Sequence, residues 1–103
     1  MNETEFHSAA DLALNRIFTA LEEADESAAL PIEDVDLQGG IITLKLENGK
    51  TYIINKHTAM RQVWVSSPIS GGLHFRWEAE RWIVLDGREL MALLSNELGI
   101  VIP

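Results

Sequence analysis

The 103-residue chain has no cysteine. That absence excludes a disulfide framework, a thiolate zinc site and a cysteine nucleophile, and it fits a reducing compartment. Positive charge is scarce at the front of the chain. Residues 1–36 hold ten acids against one base, Arg16, for a net −9, whereas residues 37–103 hold six acids against seven bases, for a net +1. Such a field repels nucleic acid and anionic membrane and attracts cations or basic protein surfaces. No apolar run approaches the roughly 20 residues needed to cross a bilayer. The opening Met1-Asn2-Glu3-Thr4-Glu5 lacks the basic and apolar regions of a secretory signal and is too acidic for a mitochondrial transit peptide. The expected location is the bacterial cytoplasm.

Catalytic patterns are missing as well. No glycine-rich phosphate loop follows a strand and opens a helix, and Ser66 and Ser67 have no His/Asp partner pattern or nucleophile elbow. His7, His57 and His74 fall on a helix, a loop and a strand with no i,i+4 pair, so each reads as an ordinary surface or hydrogen-bonded histidine rather than a metal ligand. Nothing assembles into an active site, and an enzyme is not expected.

What is present describes one globular domain over residues 1–103. Apolar residues make up 47% and charged residues 23%. A chain of this size hides roughly 60–70% of its unfolded surface, enough for a single core. Phe6, Ala9, Ala10, Ala13, Leu14, Ile17, Leu21 and Ala24 recur at spacings of three and four, which predicts an amphipathic helix over about 3–25. Asn2 and Glu5 form a capping-box pattern at its start. Val35–Gln38 reads as a short strand broken by Gly39-Gly40. Ile41–Glu47 and Lys50–Lys56 read as a hairpin around the two-residue turn Asn48-Gly49. Further strands are expected over Gln62–Ser66, Leu73–Trp77 and Arg81–Leu85. A second helix follows, with Asp86 as N-cap, Glu89 at N3, Leu90, Leu93, Leu94 and Leu98 on one face, and Gly99 as its stop. Two one-striped helices must both bury their stripes. The expected fold is therefore α+β, a two-layer sandwich with two helices on one face of a five- to six-stranded antiparallel sheet.

Two features break local rules. Asp11, Asn15, Thr19, Glu22 and Glu26 share the helix face away from the apolar stripe, flanked by Glu23 and Asp25, and Glu33, Asp34 and Asp36 carry the negative charge onward. Glu22 and Glu26 repel at i,i+4, by about 0.2–0.5 kcal/mol. The acids also crowd the helix end whose dipole prefers cations. This strip suits hard, oxygen-seeking cations bound weakly, and equally suits a solvated face that confers solubility or docks on a basic partner. The second feature is Trp64. Alternation in Gln62-Val63-Trp64-Val65 turns it to the open sheet face, beside Thr43, Lys45, Ile53, Asn55, Gln62, His74 and Arg76. It reads either as a binding hot spot or as a ring packed by its neighbours.

The stretch Asn55-Lys56-His57-Thr58-Ala59-Met60-Arg61-Gln62-Val63-Trp64-Val65-Ser66-Ser67-Pro68-Ile69-Ser70-Gly71-Gly72 resembles the signature region of the frataxins, with an Asn-Lys pair, Gln-x-Trp, Ser-Ser-Pro and a glycine turn. His74-Phe75, Trp82 and the last helix continue the likeness. Glu5-Phe6-His7 with Ala10-Asp11 is similar to the bacterial branch of the family. His57, Ala59 and His74 stand where mitochondrial members usually carry Gln, Pro and often Arg. The resemblance implies a helix–sheet–helix sandwich, monomeric at rest, with possible iron-driven oligomers. It also implies weak, reversible binding of Fe2+ and Fe3+ through Asp11, Glu22, Glu23, Asp25, Glu26, Glu33, Asp34 and Asp36. The acids from Glu22 to Asp36 would also dock on the cysteine desulfurase, and Asn55, Gln62, Trp64, His74 and Arg76 would meet the iron–sulfur scaffold protein. An iron chaperone or store with weak ferroxidase activity is the alternative reading.

Overall fold

The computed structural model describes all 103 residues. The first helix, α1, runs from Glu3 to Glu26. The capping box closes as the sequence suggests: Asn2 Oδ1 accepts from Glu5 N at 2.8 Å, and Asn2 N donates to Glu5 Oε1 at 3.3 Å. Phe6, Ala10, Ala13, Leu14, Ile17, Ala20, Leu21 and Ala24 are buried along one stripe, so the helix is held by its apolar face rather than by propensity alone.

Six strands follow: β1 (Ile32–Gln38), β2 (Ile41–Leu46), β3 (Thr51–His57), β4 (Gln62–Ser67), β5 (Gly71–Glu78) and β6 (Arg81–Ile83). They pair antiparallel in sequence order, as a meander with β1 and β6 at the edges. α2 (Leu90–Leu98) closes the chain against the same sheet face as α1. The inward positions Ile42, Leu44, Tyr52, Ile54, Val63, Val65 and Phe75 meet the helix stripes in one continuous core, and the other sheet face stays open. The architecture is the two-layer α+β sandwich with six strands.

The turns differ from the expected chemistry. A two-residue turn with both residues at positive φ forms at Gly39-Gly40, at 60° and 76°. The Asn48-Gly49 hairpin uses a three-residue loop instead, with Gly49 N donating to Leu46 O and only Gly49 at positive φ. Between β5 and β6, Ala79 and Glu80 occupy left-handed geometry, at 51° and 62°, without glycine's freedom.

Boundaries also move: β5 starts at Gly71 rather than Leu73, and β6 ends at Ile83 rather than Leu85. β1 starts at Ile32 rather than Val35, because pairing of Ile32 with Leu46 and Asp34 with Lys45 overrides the poor strand preference of two adjacent acids. Asp86 is not the N-cap of α2. Its carboxylate is taken by Arg88 N and Nε, and Gly87 at φ 91° turns the chain away. Glu89 is the N-cap, accepting from Met91 N at 2.8 Å and Ala92 N at 3.1 Å.

One polar network crosses the layers. Glu97 of α2 accepts from Tyr52 Oη (2.8 Å), Ser67 Oγ (2.6 Å) and Ser70 Oγ (2.5 Å). Ser67 Oγ in turn accepts from Ile69 N and Ser70 N, each at 3.0 Å. Burial acts to raise the Glu97 pKa, but the hydroxyl donors outweigh it and hold the carboxyl below its ordinary range. Burial, together with the Glu97 charge, pushes Tyr52 up to about 12.

Candidate functional site

Glu22, Glu23, Asp25 and Glu26 crowd the last two turns of α1. All are exposed, no base stands in the last turn, and none is ion-paired. At about 100° per residue, Glu22 and Asp25 fall on the flank shared with Asp11. Glu23 falls on the other flank, where it lines a shallow groove with Asn15, Arg16, Thr19 and Pro103. After a short connection, Leu30 N bonds back to Ala24 O, so β1 starts beside the helix end. Along β1, Val35 and Leu37 pack inward, which turns Asp34 and Asp36 to the open sheet face. The acids therefore wrap one end of the molecule, from helix to edge strand.

Two of the eight sequence candidates are already engaged. Asp11 accepts from Lys56 Nζ of β3 at 2.8 Å. Glu33, at the bulge between Ile32 and Asp34, pairs with Lys45 at 3.2 Å. Nowhere do three His, Asp or Glu side chains converge closely enough to hold a metal ion. What the arrangement offers is a band of hydrated, uncompensated carboxylates with oxygen donors alone. That donor set fits hard cations held through one or two carboxylates and water, with strong screening by salt.

The open face carries the second group. Asn55, Trp64 and His74 lie opposite one another across β3, β4 and β5, and His57, Gln62 and Arg76 form the next row. The structure brings all five expected contact residues, Asn55, Gln62, Trp64, His74 and Arg76, onto one patch. Arg76 is held by Glu78, with Nη2 to Oε2 at 2.9 Å.

Trp64 is half-buried and stacked. The His57 ring lies 3.6 Å away at 14°, and the His74 ring 4.0 Å away at 9°. Trp64 Nε1 donates to Gln62 Oε1 at 2.7 Å. His57 Nδ1 accepts from Met60 N at 3.3 Å. The ring is thus packed by its neighbours and yet remains partly exposed on the open face. No local pattern marks the stack, since His57 and His74 are 17 residues apart and meet only through Trp64. Strand alternation could have placed both imidazoles on the open face, but not in contact.

Comparison with known proteins agrees with this picture. The profile of the frataxin-like domain matches residues 1–103. The "Iron-sulfur cluster assembly protein CyaY" of Vibrio cholerae is 40% identical over 98 residues, covering 94% of this chain and 88% of the relative. "Frataxin, mitochondrial" of Arabidopsis thaliana is 36% identical over 101 residues, and this chain spans 54% of its length. The crystal structure of trimeric frataxin from the yeast Saccharomyces cerevisiae, complexed with ferrous, superposes with a TM-score of 0.77 at 36% identity, covering 88% of this chain and 82% of that one. A family profile spanning every residue, with a relative 40% identical over most of both chains, establishes that this chain belongs to the frataxin-like domain family.

Proposed function

We propose that this chain is a non-enzymatic, iron-binding regulatory protein of iron–sulfur cluster assembly. In this reading its acidic end binds Fe2+ and Fe3+ weakly and docks on a basic surface of the cysteine desulfurase. The open sheet face, through Asn55, Gln62, Trp64, His74 and Arg76, meets the scaffold protein. The observation that carries the reading is the band of unpaired carboxylates at Glu22, Asp25, Glu26, Asp34 and Asp36. Like charges gathered at a helix end whose dipole disfavours anions cost stability, and local conflicts of this kind mark functional sites. The Vibrio relative's name supports the assembly role, and the yeast relative's ferrous complex supports iron as the cation.

A second reading, an iron carrier or store, is favoured by the trimeric state of that yeast relative. Exposed carboxylates hold iron without a defined oxidation centre, which argues against a dedicated ferroxidase. Heteronuclear NMR titrations with ferrous iron and, separately, with the desulfurase test the proposal. Both should perturb Glu22–Glu26 and Asp34–Asp36, and Glu22→Lys with Glu26→Lys should weaken both. Perturbations confined to other surfaces would sink it, and iron-dependent assembly in sedimentation experiments would favour the carrier reading.

A further inference from the structure

The open face contains an aromatic side chain whose conformation is fixed from three sides. His57 and His74 come from the strands on either side of β4, so their rings lie against opposite faces of the Trp64 indole. Centroid separations of 3.6 Å and 4.0 Å leave no room for a further ring on either face. The indole nitrogen is tied to Gln62. The ring therefore presents an edge, not a face, and a partner cannot stack upon it. Side chains that lose rotamer freedom on association cost affinity, and a ring already immobilised avoids that loss.

We propose that His57 and His74 are positioning residues that clamp Trp64 in its docking conformation, so that the open sheet face is pre-organised before a partner arrives. The proposal rests on the docking reading above and extends it to a residue, His57, with no expected contact role. His57 acts through Trp64 from the β3 end of the patch. Its own ring is oriented by the Met60 amide, which donates to Nδ1 and sets this tautomer. His74 holds the other face from β5, directly opposite Trp64 in the ladder. Neither imidazole shares a metal ion with the other, because the indole separates them.

The test uses the full chain and the purified desulfurase–scaffold complex. 15N relaxation of the Trp64 indole reads its mobility with no partner present. In His57→Ala/His74→Ala the order parameter should drop from the rigid range, about 0.85, toward 0.6 or below. Affinity for the complex should fall about 2- to 12-fold, the equivalent of about 0.5–1.5 kcal/mol for one freed side chain. His57→Phe/His74→Phe keeps a planar ring on each face and should restore both rigidity and affinity. An indole equally rigid in the double-alanine variant overturns the clamp. So does a mobile indole with unchanged affinity, provided Trp64→Ala weakens binding. Unchanged affinity for Trp64→Ala instead overturns the docking reading itself.

Discussion

Glu97→Gln probes the one polar network that joins both layers. The carboxylate receives three hydroxyl donors, from Tyr52, Ser67 and Ser70. Hydrogen bonds to a charged acceptor contribute about 1.5–3 kcal/mol, and neutral ones about 0.5–1.5 kcal/mol. The amide keeps an oxygen for Tyr52 and Ser67 and can donate toward Ser70, so the loss is mainly that of charge assistance. Because Glu97 is only half-buried, solvent discounts the sum, and a loss of about 1–2 kcal/mol is expected at pH 7. Glu97→Ala should cost more, about 2–4 kcal/mol, because it leaves the Tyr52 and Ser67 hydroxyls buried without an acceptor.

The pH dependence carries the sharper test. The folded carboxyl titrates below its unfolded counterpart. Its contribution is therefore complete above the ordinary glutamate range, near pH 4.3, and disappears as pH falls through the folded value. Urea unfolding of wild type and Glu97→Gln should differ at pH 7 and converge under acid. At the other extreme, Tyr52 is raised to about 12, so wild-type stability should decline as pH climbs from 10 toward 12. A difference between the two proteins that is equal at pH 7 and at pH 3 would refute charge as the operative property of this site.

The β5–β6 turn should be improvable. Ala79→Asn with Glu80→Gly places residues suited to positive φ where the chain already adopts it, for a gain of about 1 kcal/mol, read as a melting temperature higher by about 4–8 °C; a lower one would contradict the assigned turn geometry. Glu89→Ala should cost about 0.5–2 kcal/mol by uncapping α2, and Asp86→Ala clearly less; the reverse order in chemical denaturation would restore Asp86 as the cap. Glu22→Lys with Glu26→Lys should raise the melting temperature at low ionic strength, by about 0.5–1 kcal/mol in stability, with the gain shrinking toward 1 M salt; a salt-independent gain would point away from charge repulsion.

Local signals made most of the fold legible. The 3.6-residue stripe of α1, the alternation in β2 to β5 and the Gly99 stop each depend on neighbours a few residues apart. The features that escaped are those decided across the chain. The start of β1 depends on β2, which supplies ladder partners to Ile32 and Asp34 around a bulged Glu33, although propensity disfavours the two acids. Asp86 had the better capping chemistry in isolation, but Arg88 two residues later claims it. The Glu97 network joins residues 45 and 30 positions apart, and no periodicity encodes it. At the acidic end, composition and helical spacing located the carboxylates. Whether each was free depended on Lys56 and Lys45 arriving from distant strands, which is why Asp11 and Glu33 differ from Asp34 and Asp36.

β1 also forms an outer border of the meander, with one row of its amides and carbonyls without a neighbouring strand. Borders of this kind invite a second copy to add by strand pairing, and charge with a bulge is how natural sheets refuse it. Here the refusal falls to Glu33, Asp34 and Asp36, with the bulge at the first of them. The same carboxylates thus serve as sentries against self-association. Removing the charge of Asp34 and Asp36 would lower that guard and leave the bulge as the main obstacle to edge-to-edge joining.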